Sequence, residues 1–183
     1  IEMLGGVGNV IRNLHGLGGE VNLVAAVGKD DAGATLNEQV LSLGQAGPNL
    51  VVDEQRPTAI KTRYLAGNQQ MLRADREVTG PLSPDTAKGI MAAAMAGLNN
   101  CDALVLSDYG KGVLGGGRVQ DLIALAKGAG KPVIIDPKGN DYSIYAGADL
   151  ITPNRKELGE ATGMDVSSVG AVEEAATGLL KKH

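Results

Sequence analysis

Hydrophobic positions along the chain follow two alternating patterns. Largely apolar runs, typical of strands covered on both faces, occur at 21–27 (Asn22 excepted), at 103–107, which ends in Ser107, and at 133–135, with a very short one at 150–151. Between and after them, apolar positions recur at helical spacing. This spacing predicts helices over 10–17, 33–43, 87–98, 119–127, 155–162 and 169–182. Because helices of this length join neighbouring parallel strands, we predict an α/β fold, a Rossmann-like parallel sheet flanked by helices.

Residues 48–78 interrupt this pattern with a small β insertion. Short β-branched or alternating runs at 50–53, 59–66 and 70–75 predict two or three antiparallel strands, with a hairpin turn at Gly67-Asn68. A ribbon of two or three strands is marginal in water, so its apolar face needs cover, and a second subunit is the expected partner. The candidates for that face are Val51, Ile60, Leu65 and Met71.

Composition narrows the class of protein. With 183 residues, 43% hydrophobic and 21% charged, the chain is long and apolar enough for one folded domain, which excludes a disordered polypeptide. The net charge of −4 argues against a nucleic-acid partner. A single cysteine, Cys101, excludes an internal disulfide, and no run reaches the roughly 18 apolar residues of a membrane helix. We therefore expect a cytoplasmic protein without a membrane partner and, since Ile1 is not Met, a piece of a longer chain.

Polar and glycine-rich segments follow the predicted strands, where parallel sheets bind their ligands. These segments are 28–31, 107–112, 136–139 and 152–157. Lys111 and Lys138 are predicted to converge from adjacent strand ends, an arrangement that suits a compact phosphate. Asn154 to Glu157 begin a helix whose N-terminus favours phosphate, and Glu157 is placed to hold hydrated Mg²⁺ there or simply to cap the helix.

Two further segments have both a binding and a structural interpretation. Gly5 to Asn9 precede a helix, where their amides could hold an anion or a hydroxyl, or Asn9 could act as a simple helix cap. On the β insertion, Arg73 and Asp75 share one strand face by the period of two. Such a pair can bind a phosphate and a hydroxyl of one ligand, or it can simply face solvent.

A third glycine segment suggests a different class of protein. Gly110-Lys111-Gly112-Val113-Leu114-Gly115 follows a strand, and Asp136 lies about 20 residues on, the outline of a dinucleotide fingerprint. An NAD-dependent oxidoreductase is therefore one alternative. Against it, Asp108 places a carboxylate where the pyrophosphate charge would lie.

Taken together, these segments resemble a known family. Four of them recur in the same order in the ribokinase-like (PfkB) carbohydrate kinases. They are the glycine motif ending at Asn9, the 27–33 segment Val-Gly-Lys-Asp-Asp-Ala-Gly, the β insertion and Asn154-x-x-Glu157. Three further segments resemble the heptose 7-phosphate kinase branch of this family. They are Asn-Gln-Gln-x-x-Arg-x-Asp at 68–75, Ser-Asp-Tyr-x-Lys-Gly at 107–112 and Asp-Pro-Lys-Gly at 136–139. In many bacteria that branch is fused to an adenylyltransferase.

The resemblance implies a specific reaction. The family transfers the γ-phosphoryl of Mg-ATP to a sugar hydroxyl, here the anomeric 1-OH of D-glycero-β-D-manno-heptose 7-phosphate. The product is the 1,7-bisphosphate, on the route to ADP-heptose for the lipopolysaccharide core. The β insertion would form a lid that also pairs two subunits into a homodimer.

The resemblance also assigns roles to residues of this chain. The substrate-binding residues would be Asn9, Arg73, Asp75, Lys111, Asp136 and Lys138. ATP would be bound at Asn154, Arg155, Lys156 and Glu157, with Mg²⁺ reaching Glu157 through water.

The family's general base has no counterpart in residues 1–183. That base is the Asp of a Gly-Ala-Gly-Asp turn downstream of the Asn-x-x-Glu helix, and no such turn lies before His183. We therefore assign no catalytic residue, expect the base beyond His183, and predict that residues 1–183 form a partial kinase domain that is inactive alone. Another ribokinase-family sugar kinase and a catalytically dead sugar-phosphate-binding module are the remaining alternatives.

Overall fold

The computed structural model describes residues 3–43 and 49–182, which fall into two compact units divided after Ala94. The predicted succession of helices and strands is confirmed in both units. The helices are α1 (Val7–Gly16), α2 (Asp31–Leu41), α3 (Pro84–Leu98), α4 (Arg118–Gly128), α5 (Arg155–Thr162) and α6 (Val169–Lys182), with a 3₁₀ helix at Tyr142–Tyr145. The strands are β1 (Val24–Val27), β2 (Asn49–Val52), β3 (Ile60–Ala66), β4 (Gln69–Arg76), β5 (Leu104–Ser107), β6 (Val133–Asp136) and β7 (Leu150–Ile151).

The first unit is built around a parallel pair of strands, β1 and β2, in register from Val24–Asn49 to Val27–Val52. Its core combines Ile11 of α1, Leu23 next to β1 and Val40 of α2, and Ile11 and Val40 are only 1% exposed. Aliphatic side chains thus fill the space that aromatic residues fill in many other cores, as the composition predicts.

The grouping of residues 50–53 with the β insertion is wrong. Residues 50–52 lie in β2, which ends before Asp53, pairs with β1 in parallel and does not join the antiparallel ribbon. Val51 is accordingly a residue of the parallel layer, and it lies so close to α3 that a Cβ on Gly89 would be 2.8 Å from its Cγ1. A continuous apolar run such as Leu50 to Val52 is typical of a parallel strand. Residue 48, the predicted start of the insertion, lies outside the described residues.

The antiparallel ribbon consists of β3 and β4, and its hairpin turn at Gly67-Asn68 is confirmed, with Gly67 at a φ of 60°. One face, here called the apolar face, carries Ile60, Thr62, Tyr64, Leu72 and Ala74. The opposite, polar face carries Lys61, Arg63, Arg73 and Asp75, and also Leu65, so the prediction of Leu65 for the apolar face is wrong. Tyr64 and Leu72 lie directly opposite each other and are 54% and 58% exposed.

The predicted membership of the apolar face needs correction. The register shifts by one residue next to Tyr64 and Leu65, and Met71 is the extra residue of this bulge, without a partner in the ladder. Leu72 therefore takes the place that the regular alternation of the sequence gives to Met71.

The second unit is a three-stranded parallel sheet in the order β5-β6-β7. Buried residues of α4 and β6, among them Ala126, Val133 and Ile135, form its core together with the two tyrosines of the 3₁₀ helix. In the described part of the chain, no helix has both the length and the apolar character needed to cross a membrane.

Candidate functional site

In the first unit, the glycine-rich turn after β1 is an anchor between elements. Asp30 caps α2 by accepting a hydrogen bond from Gly33 N (3.0 Å), and it also accepts from Thr58 N (3.0 Å) and Thr58 Oγ1 (2.6 Å). Arg76, at the end of β4, donates to the same carboxylate at 2.9 Å. Gly28 N donates to Thr58 Oγ1 at 2.9 Å. The turn therefore fastens the start of α2 to the base of the ribbon.

These contacts also set the charge state of Asp30. The hydrogen bond from the Thr58 hydroxyl, together with the backbone amides and the Arg76 guanidinium, outweighs partial burial and holds the pKa of Asp30 below its usual range. The carboxylate stays ionised at neutral pH and serves as a structural acceptor.

Asn9 lies in the first turn of α1 with its side chain exposed. The N-cap of α1 is Gly6, and no side chain caps this helix, so the interpretation of Asn9 as a simple cap is wrong. The proposed contact between Asn9 and sugar hydroxyls remains a prediction.

Arg73 and Asp75 share the polar face of the ribbon, as the period of two predicts. Arg73 Nε lies 3.0 Å from Asp75 Oδ1, and Lys61 Nζ lies 2.6 Å from Asp75 Oδ2. The hydrogen bond from Lys61 has the largest effect on the pKa of Asp75. Desolvation opposes it, but the charges of Arg73 and Lys61 add to it, so the pKa is lowered. Asp75 is thus ionised and oriented by two cations.

The polar face also holds a cation that the sequence analysis missed. Arg63 lies directly opposite Arg73 across the ribbon. Like charges directly opposite each other in an antiparallel pair are unfavourable unless an anion compensates them. Asp75 supplies such an anion to Arg73, so the two guanidinium groups are partly compensated and remain suited to a further anionic ligand.

In the second unit, the ends of β5 and β6 meet, as predicted for the phosphate site. Asp108 N donates to Asp136 O at 2.9 Å, which continues the ladder past the strands, and Ser107 Oγ lies 3.3 Å from Asp136 Oδ2. The segments that follow the two strands, with Lys111 on one and Lys138 on the other, therefore leave the sheet side by side.

The turn that carries Lys111 is fixed at both ends. Gly110 and Gly112, on either side of Lys111, have φ values of 65° and 79°, which glycine adopts without strain. Asp108 Oδ1 accepts from Gly110 N at 2.8 Å. Arg118 donates to Gly112 O and to the next carbonyl, both at 2.7 Å.

This geometry does not fit a dinucleotide fingerprint. In that motif the glycines open the helix and direct its amides at the pyrophosphate. Here α4 begins only at Arg118, three residues after Gly115, and its N-cap is Gly117. The loop turns two carbonyls toward Arg118, so the structure gives no support to the NAD-dependent alternative.

Lys138, after β6, forms an ion pair with Glu157, in the first turn of α5. Lys138 Nζ lies 3.1 Å from Glu157 Oε1, and the two side chains are 53% and 12% exposed. Asn154 Oδ1 accepts from Glu157 N, and Glu157 Oε2 accepts from Asn154 N, both at 3.0 Å. The structural interpretation of Glu157 is thus confirmed, since Asn154 and Glu157 form a capping box.

The electrostatics of Glu157 follow from these partners. Desolvation acts to raise the pKa of Glu157, but the hydrogen bond from Asn154 and the Lys138 ammonium outweigh it and hold the pKa below its usual range. Glu157 is therefore a buried, ionised carboxylate at the strand ends.

The described residues around Glu157 do not supply a set of direct Mg²⁺ ligands. Both carboxylate oxygens of Glu157 accept hydrogen bonds, and within residues 3–43 and 49–182 no three His, Cys, Asp or Glu side chains cluster as a metal site. Mg²⁺ usually keeps several waters, and if it were bound here, Glu157 would hold it through a water that hydrogen-bonds to the remaining lone pairs of the carboxylate.

Arg155 and Lys156, the other predicted nucleotide residues, lie on the exposed side of α5. Arg155 donates to Ser167 O at 3.4 Å, and Lys156 lies 3.5 Å from Glu160 Oε1 with its side chain 84% exposed. Neither contacts the Lys138–Glu157 pair in a described hydrogen bond, and their contact with ATP remains a prediction.

The comparison of this chain with protein families agrees with the fold and with the order of the motifs. The sequence profile of the pfkB family carbohydrate kinases matches residues 2–183. The chain belongs to this family of carbohydrate kinases.

Individual relatives give a finer comparison. The chain is 49% identical over 178 residues to the bifunctional protein HldE of Paramagnetospirillum magneticum and 48% identical over 178 residues to that of Caulobacter vibrioides. Each match covers 97% of this chain and 36% of the relative, so the chain spans about a third of the length of the curated relatives it matches.

Solved structures show the same fold at low sequence identity. The 2-dehydro-3-deoxygluconokinase of Thermotoga maritima superposes with a TM-score of 0.75 at 13% identity, covering 98% of this chain and 59% of that one. Arabidopsis thaliana ribokinase, complexed with ribose and ATP, superposes with a TM-score of 0.67 at 18% identity, covering 92% and 54%. The ribokinase-like α/β fold is thereby established.

Proposed function

We propose that this chain forms part of a kinase that transfers the γ-phosphoryl of ATP to the anomeric 1-hydroxyl of D-glycero-β-D-manno-heptose 7-phosphate. The product would be the 1,7-bisphosphate, a precursor of ADP-heptose for lipopolysaccharide. Membership of the carbohydrate kinase family supports the reaction class. The three motifs that resemble the heptose 7-phosphate kinase branch support the acceptor.

One observation carries the choice of a phosphorylated sugar. The segments bearing Lys111 and Lys138 follow two directly paired strands, with Asp136 at the end of one of them. Two ammonium groups at neighbouring strand ends suit a phosphate monoester, and Asp136 suits a sugar hydroxyl. On the ribbon, Arg63 and Arg73 offer a second pair of cations for an anionic ligand, with Asp75 beside them.

We assign the nucleotide to the N-terminus of α5. Helix N-terminal amides favour phosphate, and Glu157 in this first turn is ionised. When bound, Mg²⁺ would neutralise charge on the transferred phosphoryl group, and Glu157 would hold it through water. The use of ATP agrees with a cytoplasmic location.

The partner of the ribbon is proposed to be a second copy of this chain. Tyr64 and Leu72 expose more than half of their surface in the middle of the apolar face. Two such faces packed together would bury these side chains and support a ribbon that is marginal alone. The resulting homodimer would leave both polar faces available to ligand.

Phosphoryl transfer by the intact protein tests this function. ADP release is measured with heptose 7-phosphate, with the same heptose lacking the phosphate, and with fructose 6-phosphate as acceptors. We expect turnover with heptose 7-phosphate and at least tenfold lower kcat/KM with the other two. Equal turnover with fructose 6-phosphate would overturn the assigned acceptor, and binding of heptose 7-phosphate without turnover would favour a catalytically dead binding module.

A further inference from the structure

The hydroxyl of Tyr145 joins the two segments that carry the proposed sugar-phosphate lysines. It lies 2.8 Å from Asp108 Oδ2, after β5, and it accepts the backbone N–H of Lys138, after β6, at 2.9 Å. The carbonyl of Lys138 lies 3.0 Å away, so the carboxylate is both the closer and the charged acceptor for the single hydroxyl proton. One side-chain atom thus bridges two strand ends.

The bridge continues on both sides of Tyr145. Asp108 uses its other oxygen to accept from Gly110 N, the residue before Lys111. Lys138 in turn reaches Glu157 through its ammonium. The hydroxyl therefore sits in the middle of a hydrogen-bonded chain that runs from the Lys111 turn to the start of α5.

The neighbouring tyrosine provides an internal comparison. Tyr142 lies in the same 3₁₀ helix, its ring meets that of Tyr145 edge to face at 5.6 Å, and it is 1% exposed. Its buried hydroxyl has no hydrogen-bond partner among residues 3–43 and 49–182. Two buried tyrosines in one turn therefore differ in what their hydroxyls do, and Tyr145 has a role beyond filling space.

We propose that Tyr145 is a positioning residue for sugar-phosphate recognition, whose hydroxyl holds the Lys111 turn and the Lys138 backbone at a fixed separation. The inference rests on the proposed function, because it takes heptose 7-phosphate as the ligand of the two lysines. Lysine side chains are flexible, so a fixed backbone reduces the entropy lost when both ammonium groups meet one phosphate. Tyr145 itself touches neither the phosphate nor the reacting atoms.

The electrostatic setting keeps this bridge intact over the working pH range. Burial, followed by the hydrogen bond to the Asp108 carboxylate, raises the pKa of Tyr145 well above its usual value, although the Lys138 amide acts in the opposite direction. The hydroxyl stays protonated and remains a donor to Asp108.

Calorimetric titration of the intact protein tests the proposal, with Tyr145→Phe as the variant and Tyr142→Phe as its matched control. Loss of the bridge is expected to raise the Kd for heptose 7-phosphate about tenfold and to leave the Kd for ATP within twofold. Tyr142→Phe should leave both within twofold, since its hydroxyl makes no hydrogen bond to a described residue that the change could remove. An unchanged Kd in Tyr145→Phe, or a parallel loss of sugar and ATP binding, would overturn the proposal.

A double-mutant comparison separates positioning from a purely structural effect. If Tyr145 acts through Lys138, adding Tyr145→Phe to a Lys138→Met protein should raise its Kd for heptose 7-phosphate little further. If the two changes act independently, their fold-increases in Kd would multiply, and that result would contradict the proposal. Should Tyr145→Phe fail to fold, Asp108→Asn, which removes the charged acceptor at constant volume, is expected to show the same selective loss. Equal sugar affinity in Asp108→Asn would then count against the bridge.

Amide hydrogen exchange distinguishes failure of this inference from failure of the proposed function. Tyr145→Phe should speed exchange of the Lys138 amide at least tenfold, and Tyr142→Phe should not. If the unchanged protein binds no heptose 7-phosphate, the proposed acceptor is wrong, whatever the exchange shows. If that protein binds the sugar and the Lys138 amide exchanges equally fast in both variants, Tyr145 does not hold Lys138 and the positioning role fails.

Discussion

Lys138 Nζ lies 3.1 Å from Glu157 Oε1, and this ion pair joins the segment after β6 to the first turn of α5. The resemblance assigns Lys138 to the sugar phosphate and Glu157 to the nucleotide and Mg²⁺. In the structure the two residues contact each other, so the two proposed subsites share a boundary. If Lys138 left Glu157 to bind the sugar phosphate, Glu157 would lose its cationic partner. Sugar binding would thereby change the net charge of the nucleotide subsite.

Glu157→Gln tests the nucleotide side of this boundary. Glutamine keeps a side-chain oxygen for the Asn154 amide, so the capping box and the stability of the fold should persist. The negative charge beside the triphosphate is lost, and we expect kcat to fall at least tenfold. The KM for heptose 7-phosphate should not rise, because the change releases Lys138 from its ion pair. Glu160→Gln, on the same helix and paired with the exposed Lys156, is the control and should leave both kcat and KM unchanged. An unchanged kcat in Glu157→Gln would contradict the assignment of Glu157 to the nucleotide site.

The contacts of Asp30 predict a pH dependence of stability. Its pKa in the folded protein lies below the ordinary value of 3.8, so the unfolded chain takes up the proton first as the pH falls. The stabilisation by Asp30 is therefore complete at neutral pH and is lost as the pH falls through 3.8 toward the lower folded value. Asp30→Asn should lower the free energy of unfolding by about 1–3 kcal/mol at pH 7, with a smaller difference below pH 4.

Urea unfolding at pH 7 and at pH 3 measures the difference in free energy of unfolding between Asp30→Asn and the unchanged protein. Asp85→Asn is a suitable control, because the Asp85 side chain is 98% exposed. A destabilisation by Asp30→Asn that is the same at pH 7 and pH 3 would show that the charge of Asp30 contributes nothing.

Gly28 packs directly against the backbone of residues 56–58, and this close approach predicts the effect of a methyl group. A Cβ on Gly28 would lie 2.6 Å from Arg56 O and 2.6 Å from Thr58 N, backbone atoms that cannot easily move. Gly28→Ala should destabilise the protein by about 1–3 kcal/mol, as overpacking does elsewhere. Gly16→Ala, at the end of α1 with no atom within 4 Å of the new Cβ, should be neutral or slightly stabilising. Equal melting temperatures for the two variants would contradict this description of the turn.

The proposed homodimer depends on the apolar face of the ribbon. Leu72→Glu places a charge in the middle of that face and should convert a dimeric protein into a monomer at micromolar concentration. Leu17→Glu, at a residue that is 84% exposed and outside the ribbon, should leave the oligomeric state unchanged. Sedimentation velocity distinguishes the two, and a dimer that survives Leu72→Glu would place the interface elsewhere.

The parallel strands were predictable because each is a mostly apolar run followed by polar residues. β1, β5 and β7 lie within their predicted ranges, and β6 extends one residue past its range, to Asp136. Residues 50–53 were assigned wrongly because a short β-branched run is equally suited to a parallel strand or a hairpin. Only its partner decides, and the partner of β2 is β1, more than 20 residues away.

The faces of the ribbon were only partly predictable. Counted back from the Gly67-Asn68 turn without a bulge, Arg63 would be opposite Leu72, but the extra Met71 shifts the register and places Arg63 opposite Arg73. A single unpaired residue reverses the facing of everything beyond it, and alternation alone carries no sign of it. The second arginine of the polar face was missed for this reason.

The internal contacts of the strand-end site were not predictable. Lys138 and Glu157 were each identified, but their ion pair depends on the side-chain directions of two segments 19 residues apart. Tyr145 had no motif at all, because its importance comes from one hydroxyl oriented by a 3₁₀ helix. Motifs indicated which residues matter, whereas the contacts between them required the fold.

The affinity of Lys138→Met for two sugars tests the central proposal most directly. Calorimetric titration of the intact protein compares D-glycero-β-D-manno-heptose 7-phosphate with the same heptose lacking the phosphate. Lys127→Met is the control, because Lys127 pairs with Asp149 at the opposite, amino-terminal end of the sheet. We predict that Lys138→Met raises the Kd for the phosphorylated sugar about tenfold to a hundredfold and leaves the Kd for the unphosphorylated one unchanged. Equal losses for both sugars, or none for either, would contradict recognition of the 7-phosphate by Lys138.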